Sequence, residues 1–195
     1  MKVLIGCEES GIMRDAFIAA GHDAISCDLN PTRSPGPHIE GDIMQLKEEH
    51  FDLGIFHPVC RYLTNSGVLH LHKDITRWPK LFEAAAFFNA MKEFNCDRIA
   101  IENPIPHKYA KALIGDYTQC VQPWWFGDMR TKATCWWLYN LPKLCKTNDV
   151  KEEMLSLPKS ESHACHYASP GPERERIRSE SHPGMCAAIA DQWGH

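Results

Sequence analysis

No apolar run in this sequence approaches the ~20 residues needed to span a bilayer, so a membrane-embedded protein is not expected. No secretory pattern opens it, and its nine cysteines therefore read as reduced intracellular thiols rather than as a disulfide framework. An overall basic field is also missing. With 21 Lys and Arg against 25 Asp and Glu, the net charge is −4, and any contact with nucleic acid must come from a local patch. The full glycine fingerprint of a dinucleotide-binding turn is absent as well. In its place, "CEESG" (7–11) offers two carboxylates and little glycine, a poor cradle for pyrophosphate but a suitable one for an amino group or another positive centre. These absences leave a soluble, cytosolic protein of 195 residues, enough for one domain with a sizeable core.

What is present alternates. Met1–Gly6 is a short apolar run bounded by glycine, the form of a buried parallel strand. Ser10 is a suitable N-cap for a helix over 12–20, which Gly21 closes. Residues 22–27 form the second predicted strand, with Asp28 at its carboxyl end, and 30–38 form a proline-rich loop. The third predicted strand is 51–56 and the fourth 97–101, separated by a helix over 79–94 whose apolar positions 81, 82, 85, 88 and 91 share one face. A helix over 107–114 and strands over 118–121 and 132–138 complete the pattern. Such alternation predicts a doubly wound, Rossmann-like α/β sheet in a single domain, whose ligands gather at the carboxyl ends of the strands.

Those ends carry "CEESG", then Asp28, then "HPVC" (57–60), then "ENP" (102–104). Cys60 stands just past a strand rather than within its apolar run, and two readings are open: a packed thiol or a nucleophile. Glu102 is either a strand-end charge or a working carboxyl, and Asp28 and Asp42 are either turn formers or ligand acceptors. The aromatic group Trp124, Trp125, Phe126, Trp136 and Trp137 suits a core or pocket wall better than a base-stacking platform. In the tail, Cys145, His163, Cys165 and His166 are zinc-ligand types, but "HACH" lacks the usual gap between paired ligands, and no metal is expected. Arg174, Arg176 and Arg178, among prolines and serines, form either a solvated loop or a phosphate clamp.

The order of the "CEESG" turn, Asp28, Gly41-Asp42-Ile43, Pro58-Val59-Cys60, Glu102-Asn103-Pro104, Phe126-Gly127 and "PGMCA" (183–187) resembles the motif order of C5-cytosine DNA methyltransferases. "CEESG", "TKAT" and the "QWG" ending are similar to small phage and prophage members without a target-recognition region, which implies a bacterial host cell. The resemblance implies an S-adenosylmethionine site formed by Cys7, Glu8, Ser10, Gly11, Asp28, Leu29, Asp42, Ile43 and Pro58. It implies catalysis by Cys60, Glu102, Asn103 and Arg130, and substrate contacts from Arg61, Asn65, Ser66, Lys132 and Arg178. A Cys60 thiolate would add to carbon 6 of the base, with His57 or Arg61 as its cationic helper. Glu102, its pKa raised toward neutrality, would hydrogen-bond the ring. The family pattern has a second proline where Val59 stands and a small or polar residue where Arg61 stands. Residues 139–181 occupy the place of the recognition region as an irregular insertion, so target choice would fall to a partner or a second copy. DNA is the implied substrate. Two alternatives stay open: the same scaffold acting on a free nucleotide, on a single strand or with a modified donor, and a non-catalytic phage-encoded binding protein.

Overall fold

The computed structural model describes residues 1–167, 169 and 171–195, leaving aside the side chains of 166, 172, 173 and 175. In chain order its elements are β1 (Lys2–Gly6), α1 (Ile12–Ala19), β2 (Asp23–Asp28), β3 (His38–Glu40), β4 (Phe51–Phe56), α2 (Val68–Lys73), α3 (Arg77–Ala90), β5 (Cys96–Pro104), α4 (Lys108–Ile114), β6 (Gln119–Val121) and β7 (Thr134–Tyr139). Five helices follow: α5 (Lys151–Ser156), α6 (Lys159–Ser162), α7 (Ala164–Tyr167), α8 (Pro172–Ser179) and α9 (Pro183–Trp193). The strands make one seven-stranded sheet in the order β3-β2-β1-β4-β5-β7-β6. Strands β1 to β5 pair in parallel, and β7 runs antiparallel to both its neighbours. This is the doubly wound α/β sheet that the sequence predicts. Among the described residues, no helix is long and apolar enough to cross a membrane.

The period-2 alternation of strand side chains divides the core into two layers. Leu4, Phe56, Ile101 and Trp137 pack with Leu81 and Phe88 of α3 on one face. Val3, Ile5, Ile55 and Trp136 pack with Met13 and Phe17 of α1 and with Ile189 and Trp193 of α9 on the other. Adjacent Trp136 and Trp137 thus serve opposite layers, and both are buried, as is Phe126, which agrees with the core reading of these aromatics.

The sequence reading is corrected at several places. Residues 38–40 form a short edge strand, so the strand over 51–56 is the fourth. Strand β5 runs on through Glu102, Asn103 and Pro104, because these residues pair with Trp136, Cys135 and Thr134 of β7. Phe82 points to solvent while Leu81, Ala85, Phe88 and Met91 are buried. The arginine-rich tail is helical as α8, and 183–193 forms a further helix. The residue that caps α1 is Gly11, not Ser10. Its φ of 78° lies in the left-handed region that favours glycine. The orphan N–H groups of α1 are instead taken by Ser10 Oγ, which accepts from Ile12, and by Glu8 Oε1, which accepts from Met13.

Arg14 of α1 is fully buried. It donates to Asp15, Ser26 Oγ, Thr32 Oγ1 and the Ser34 carbonyl, tying the proline-rich loop to the sheet. Arg14→Ala removes these charge-assisted bonds and leaves a void, so an unfolding midpoint shift equivalent to about 3 kcal/mol is expected. Chemical denaturation measures it, and an unchanged midpoint would show that the loop anchors itself without Arg14.

Candidate functional site

The carboxyl ends of β1, β4 and β5 bring together residues that are distant in sequence. After β1, Cys7 takes a positive φ of 59°, and its N–H donates to the Cys27 carbonyl at 2.7 Å. Burial and the carboxylates of Asp28 and Asp42 push its thiol up to about 12, so Cys7 is a neutral packing group. Glu8 follows, 5% exposed. One of its oxygens serves Ser10 and the α1 N-terminus, while Oε2 is buried without a partner.

Past β4, Pro58 is buried, Val59 is exposed, and Cys60 is partly covered at the start of a turn. The Cys60 carbonyl accepts from the N–H groups of Leu63 and Thr64, which fixes the loop. Asn65 and Ser66 are exposed on the short 3-10 turn that follows, with Ser66 Oγ 2.8 Å from Thr64 Oγ1. On β5, Glu102 Oε2 lies 3.7 Å from His57 Nδ1, an electrostatic contact longer than a good hydrogen bond. Both side chains are about 15% exposed, and His57 Nε2 and Glu102 Oε1 are each buried without a partner. The Asn103 amide donates to the Pro104 carbonyl at 2.7 Å, and its Oδ1 is also unpaired. Unpartnered buried polar atoms cost about 1–3 kcal/mol each, and Glu8 Oε2, His57 Nε2, Glu102 Oε1 and Asn103 Oδ1 all lie at these strand ends.

The charges differ from the sequence expectation. Burial pushes the Glu102 carboxyl up, but the contact with His57 and the charge of Lys132 pull harder, and its pKa lies below the ordinary value. The expected rise toward neutrality is therefore corrected: Glu102 is a carboxylate in this state. The Cys60 thiol is raised, first by burial and then by the Glu102 charge, against the opposing pull of Lys132 and Arg178. Two cations from distant segments, Lys132 and Arg178, therefore act on Cys60. His57 faces Glu102, a partnership no local sequence signal announces.

Arg130 lies elsewhere. It lines a cavity of about 350 Å³ with Ile12, Ile177, Ser181, His182 and Pro183, at the N-terminal ends of α1 and α9. His182 is lowered to about 4 there, by burial and then by the charges of Lys132 and Arg130. Ser181 also borders a second cavity, of about 40 Å³, whose wall includes Cys7, Glu8, Ser10 and His57. Asp128 accepts from the N–H groups of Gly184 and Met185 and so caps α9, another role that sequence spacing does not disclose.

At the outer strand ends, Asp28 Oδ1 accepts from the Asn30 backbone N–H and side-chain amide, and Asp42 Oδ1 accepts from Met44 N–H. Both therefore act as turn formers, whatever else they bind. Leu29 is 74% exposed, an apolar side chain left on the solvent side of the strand end, whereas Ile43 is buried in the core. Among the described residues, no three His, Cys, Asp or Glu side chains gather to hold a metal. Of the tail residues with zinc-ligand chemistry, the His166 side chain lies outside the described residues.

No protein-family model and no curated protein matches this chain. Among solved structures it is similar to an E. coli chain designated a DNA modification methyltransferase encoded within a prophage. That match has a TM-score of 0.48 and 15% identity, over 81% of this chain and 55% of the other. It is also similar to a triple mutant of Spodoptera frugiperda DNMT2, with a TM-score of 0.41 and 15% identity, over 75% of this chain and 53% of the other. This chain spans about half the length of these solved chains.

Proposed function

We propose that this protein transfers a methyl group from S-adenosylmethionine to carbon 5 of cytosine in DNA, through a covalent bond from Cys60 to carbon 6. The observation that carries this reading is Glu102 at the end of β5, facing His57 of the Cys60 loop at 3.7 Å through Oε2 and holding Oε1 buried without a partner. Carbon 5 of cytosine is a weak nucleophile until a thiolate adds at carbon 6. Both shifts work against proton transfer from the thiol to the carboxylate, so the step depends on the base drawing the proton onward as sulfur attacks. The Cys60 S–H bond breaks and its proton passes to the Glu102 carboxylate. As sulfur bonds to carbon 6, the Glu102 O–H bond breaks in turn and the proton moves to ring nitrogen 3. Lys132 and Arg178 stabilise the transient thiolate. His57 holds Glu102 in position at the Oε2 side and leaves Oε1 for the base.

The donor, when bound, supplies an electrophilic methyl group. The residues at the strand ends fit such a ligand: the unpaired Glu8 Oε2 suits its amino group, and exposed Leu29 suits an aromatic ring face. Asp28 would take ribose hydroxyls, and Asp42 with Ile43 would border the adenine. Cys7, Ser10, Gly11 and Pro58 would shape the turn against it. On this reading residues 1–195 are one methyltransferase domain, with 139–181 in place of a recognition region and target choice supplied by a partner or second copy.

The experiment combines purified protein, labelled donor and either duplex DNA, single strands or free dCMP. Label in DNA as 5-methylcytosine supports the reading, and donor binding without transfer to any acceptor would replace it with that of a binding protein. Asp28→Asn preserves the turn acceptor but removes the charge, so calorimetry should find donor affinity lowered by roughly 5- to 30-fold, about 1–2 kcal/mol. Unchanged affinity would leave Asp28 as a turn former only.

A further inference from the structure

The twenty residues from Arg61 to Lys80 hold four Lys or Arg and a single acid, Asp74, a formal +3 within a chain of net charge −4. Asp74 is engaged in its own turn, accepting from the N–H and hydroxyl of Thr76. Aromatic rings lie under three cations of this face. Arg77 lies 4.9 Å and Lys80 5.9 Å from the centre of the Tyr62 ring, and Lys108 at the start of α4 lies 4.8 Å from that of Tyr109. Tyr109 in turn packs edge-on against Trp78, with ring centres 5.1 Å apart. Lys73, Lys80 and Lys108 are exposed.

This face borders the nucleophile loop. Asn65 N–H donates to the Ile105 carbonyl at 2.9 Å, His107 N–H donates to the Leu63 carbonyl at 3.0 Å, and His107 Nε2 lies 2.9 Å from the Tyr62 carbonyl. These bonds tie the loop that carries Cys60 to the start of α4. Cations set on rings lose less freedom on binding than free lysines, so such an array is preorganised for a polyanion.

We propose that this face, from Tyr62 through the start of α3 to Lys108, docks the phosphate backbone of duplex DNA beside Cys60. This rests on the reading above that the cytosine belongs to DNA. A duplex rather than a single strand is favoured because the Tyr62 and Tyr109 rings are occupied by cations and by Trp78. Little open ring face remains for stacking unpaired bases. Contact is then through the backbone, where a duplex has the greater charge density.

The test is fluorescence anisotropy of a labelled duplex titrated with full-length protein over a range of salt, comparing wild type with the triple variant Lys73→Gln, Lys80→Gln, Lys108→Gln. These exposed positions leave the core intact, and Lys143→Gln, outside this face, serves as the control. The slope of log affinity against log salt should fall by roughly 2 to 3 in the triple variant, with a loss of roughly 10²-fold at about 0.1 M salt. The proposal is overturned if wild type does not bind duplex, if the triple variant keeps the wild-type slope, or if the matching single strand binds more tightly. Duplex binding with the expected slope change but no methyl transfer counts against the proposed reaction alone. Transfer to free dCMP without duplex binding counts against the docking face and against DNA as the substrate, and leaves the chemistry at Cys60 standing.

Discussion

Cys60→Ser is expected to abolish product formation, by on the order of 10³-fold or more, while leaving donor affinity within experimental error of wild type. A serine hydroxyl keeps the size and the polar contact of the side chain but is far too weak an acid to add to carbon 6. The separation of the two effects follows from position: Cys60 is on the β4 side of the edge, whereas the candidate donor residues other than Pro58 follow β1, β2 and β3. Single-turnover assays with labelled donor measure the first effect and calorimetry the second. A collapse of donor affinity would make Cys60 a structural thiol. The pH dependence has a definite sign. Because burial and Glu102 raise the thiol above its usual value, the thiolate fraction of free enzyme rises with pH across the neutral and mildly alkaline range, and kcat/KM should rise with it. Lys132→Met removes a charge that lowers the thiol pKa, and should move that rise to higher pH.

The raised thiol is also the feature that best suits a non-catalytic binding protein, since a resting Cys60 is mostly protonated. What separates the readings is whether the Glu102 carboxylate can take that proton. Its lowered pKa keeps it deprotonated but makes it a weak base, so the proton must pass on to the ring nitrogen as carbon 6 is attacked.

The sequence made the strand ends legible because apolar runs closed by Gly6, Asp28 and His57 mark buried parallel strands by composition alone. From there the placement of Cys60 and Glu102 on one edge followed from topology. Three things were not legible, each for a physical reason. Strand β3 is only three residues long and emerges from a proline-rich segment, so it has no periodicity to detect. Glu102, Asn103 and Pro104 are poor strand formers, yet they continue β5 because β7 pairs with each of them, and long-range pairing overrides local preference. The electrostatic partners Lys132 and Arg178 come from the approach to β7 and from α8, and their convergence on Cys60 depends on how those segments fold back over the edge. Nearness in sequence offers Arg61 and His57 but cannot point to Lys132 or Arg178. His57 follows β4, where the neighbouring strand presents Glu102 at 3.7 Å.

Glu102→Gln is expected to keep the fold and donor affinity yet lower turnover by roughly 10²-fold or more, the scale of removing one positioned acid. The amide is close in shape, so His57 and the β5–β7 pairing have no reason to move, but it can neither take the Cys60 proton nor deliver one to the ring. The loss should therefore fall on the catalytic rate rather than on KM for the nucleic acid. A cytosine with fluorine at carbon 5 tests the same chemistry by a different route. Once sulfur is bonded to carbon 6 and the methyl group has been transferred, release requires loss of the carbon 5 proton. With fluorine there, no such proton exists and the protein should remain bonded to its substrate. Intact-mass measurement after incubation with donor and a 5-fluorocytosine duplex should show the adduct, and peptide mapping should place it on Cys60. Glu102→Gln should form it more slowly by the same factor as its loss of turnover, since carbon 6 addition is the step that Glu102 assists. An adduct forming at the wild-type rate in Glu102→Gln would remove Glu102 from base activation. No adduct in wild type, with the donor demonstrably bound, would remove the covalent mechanism altogether.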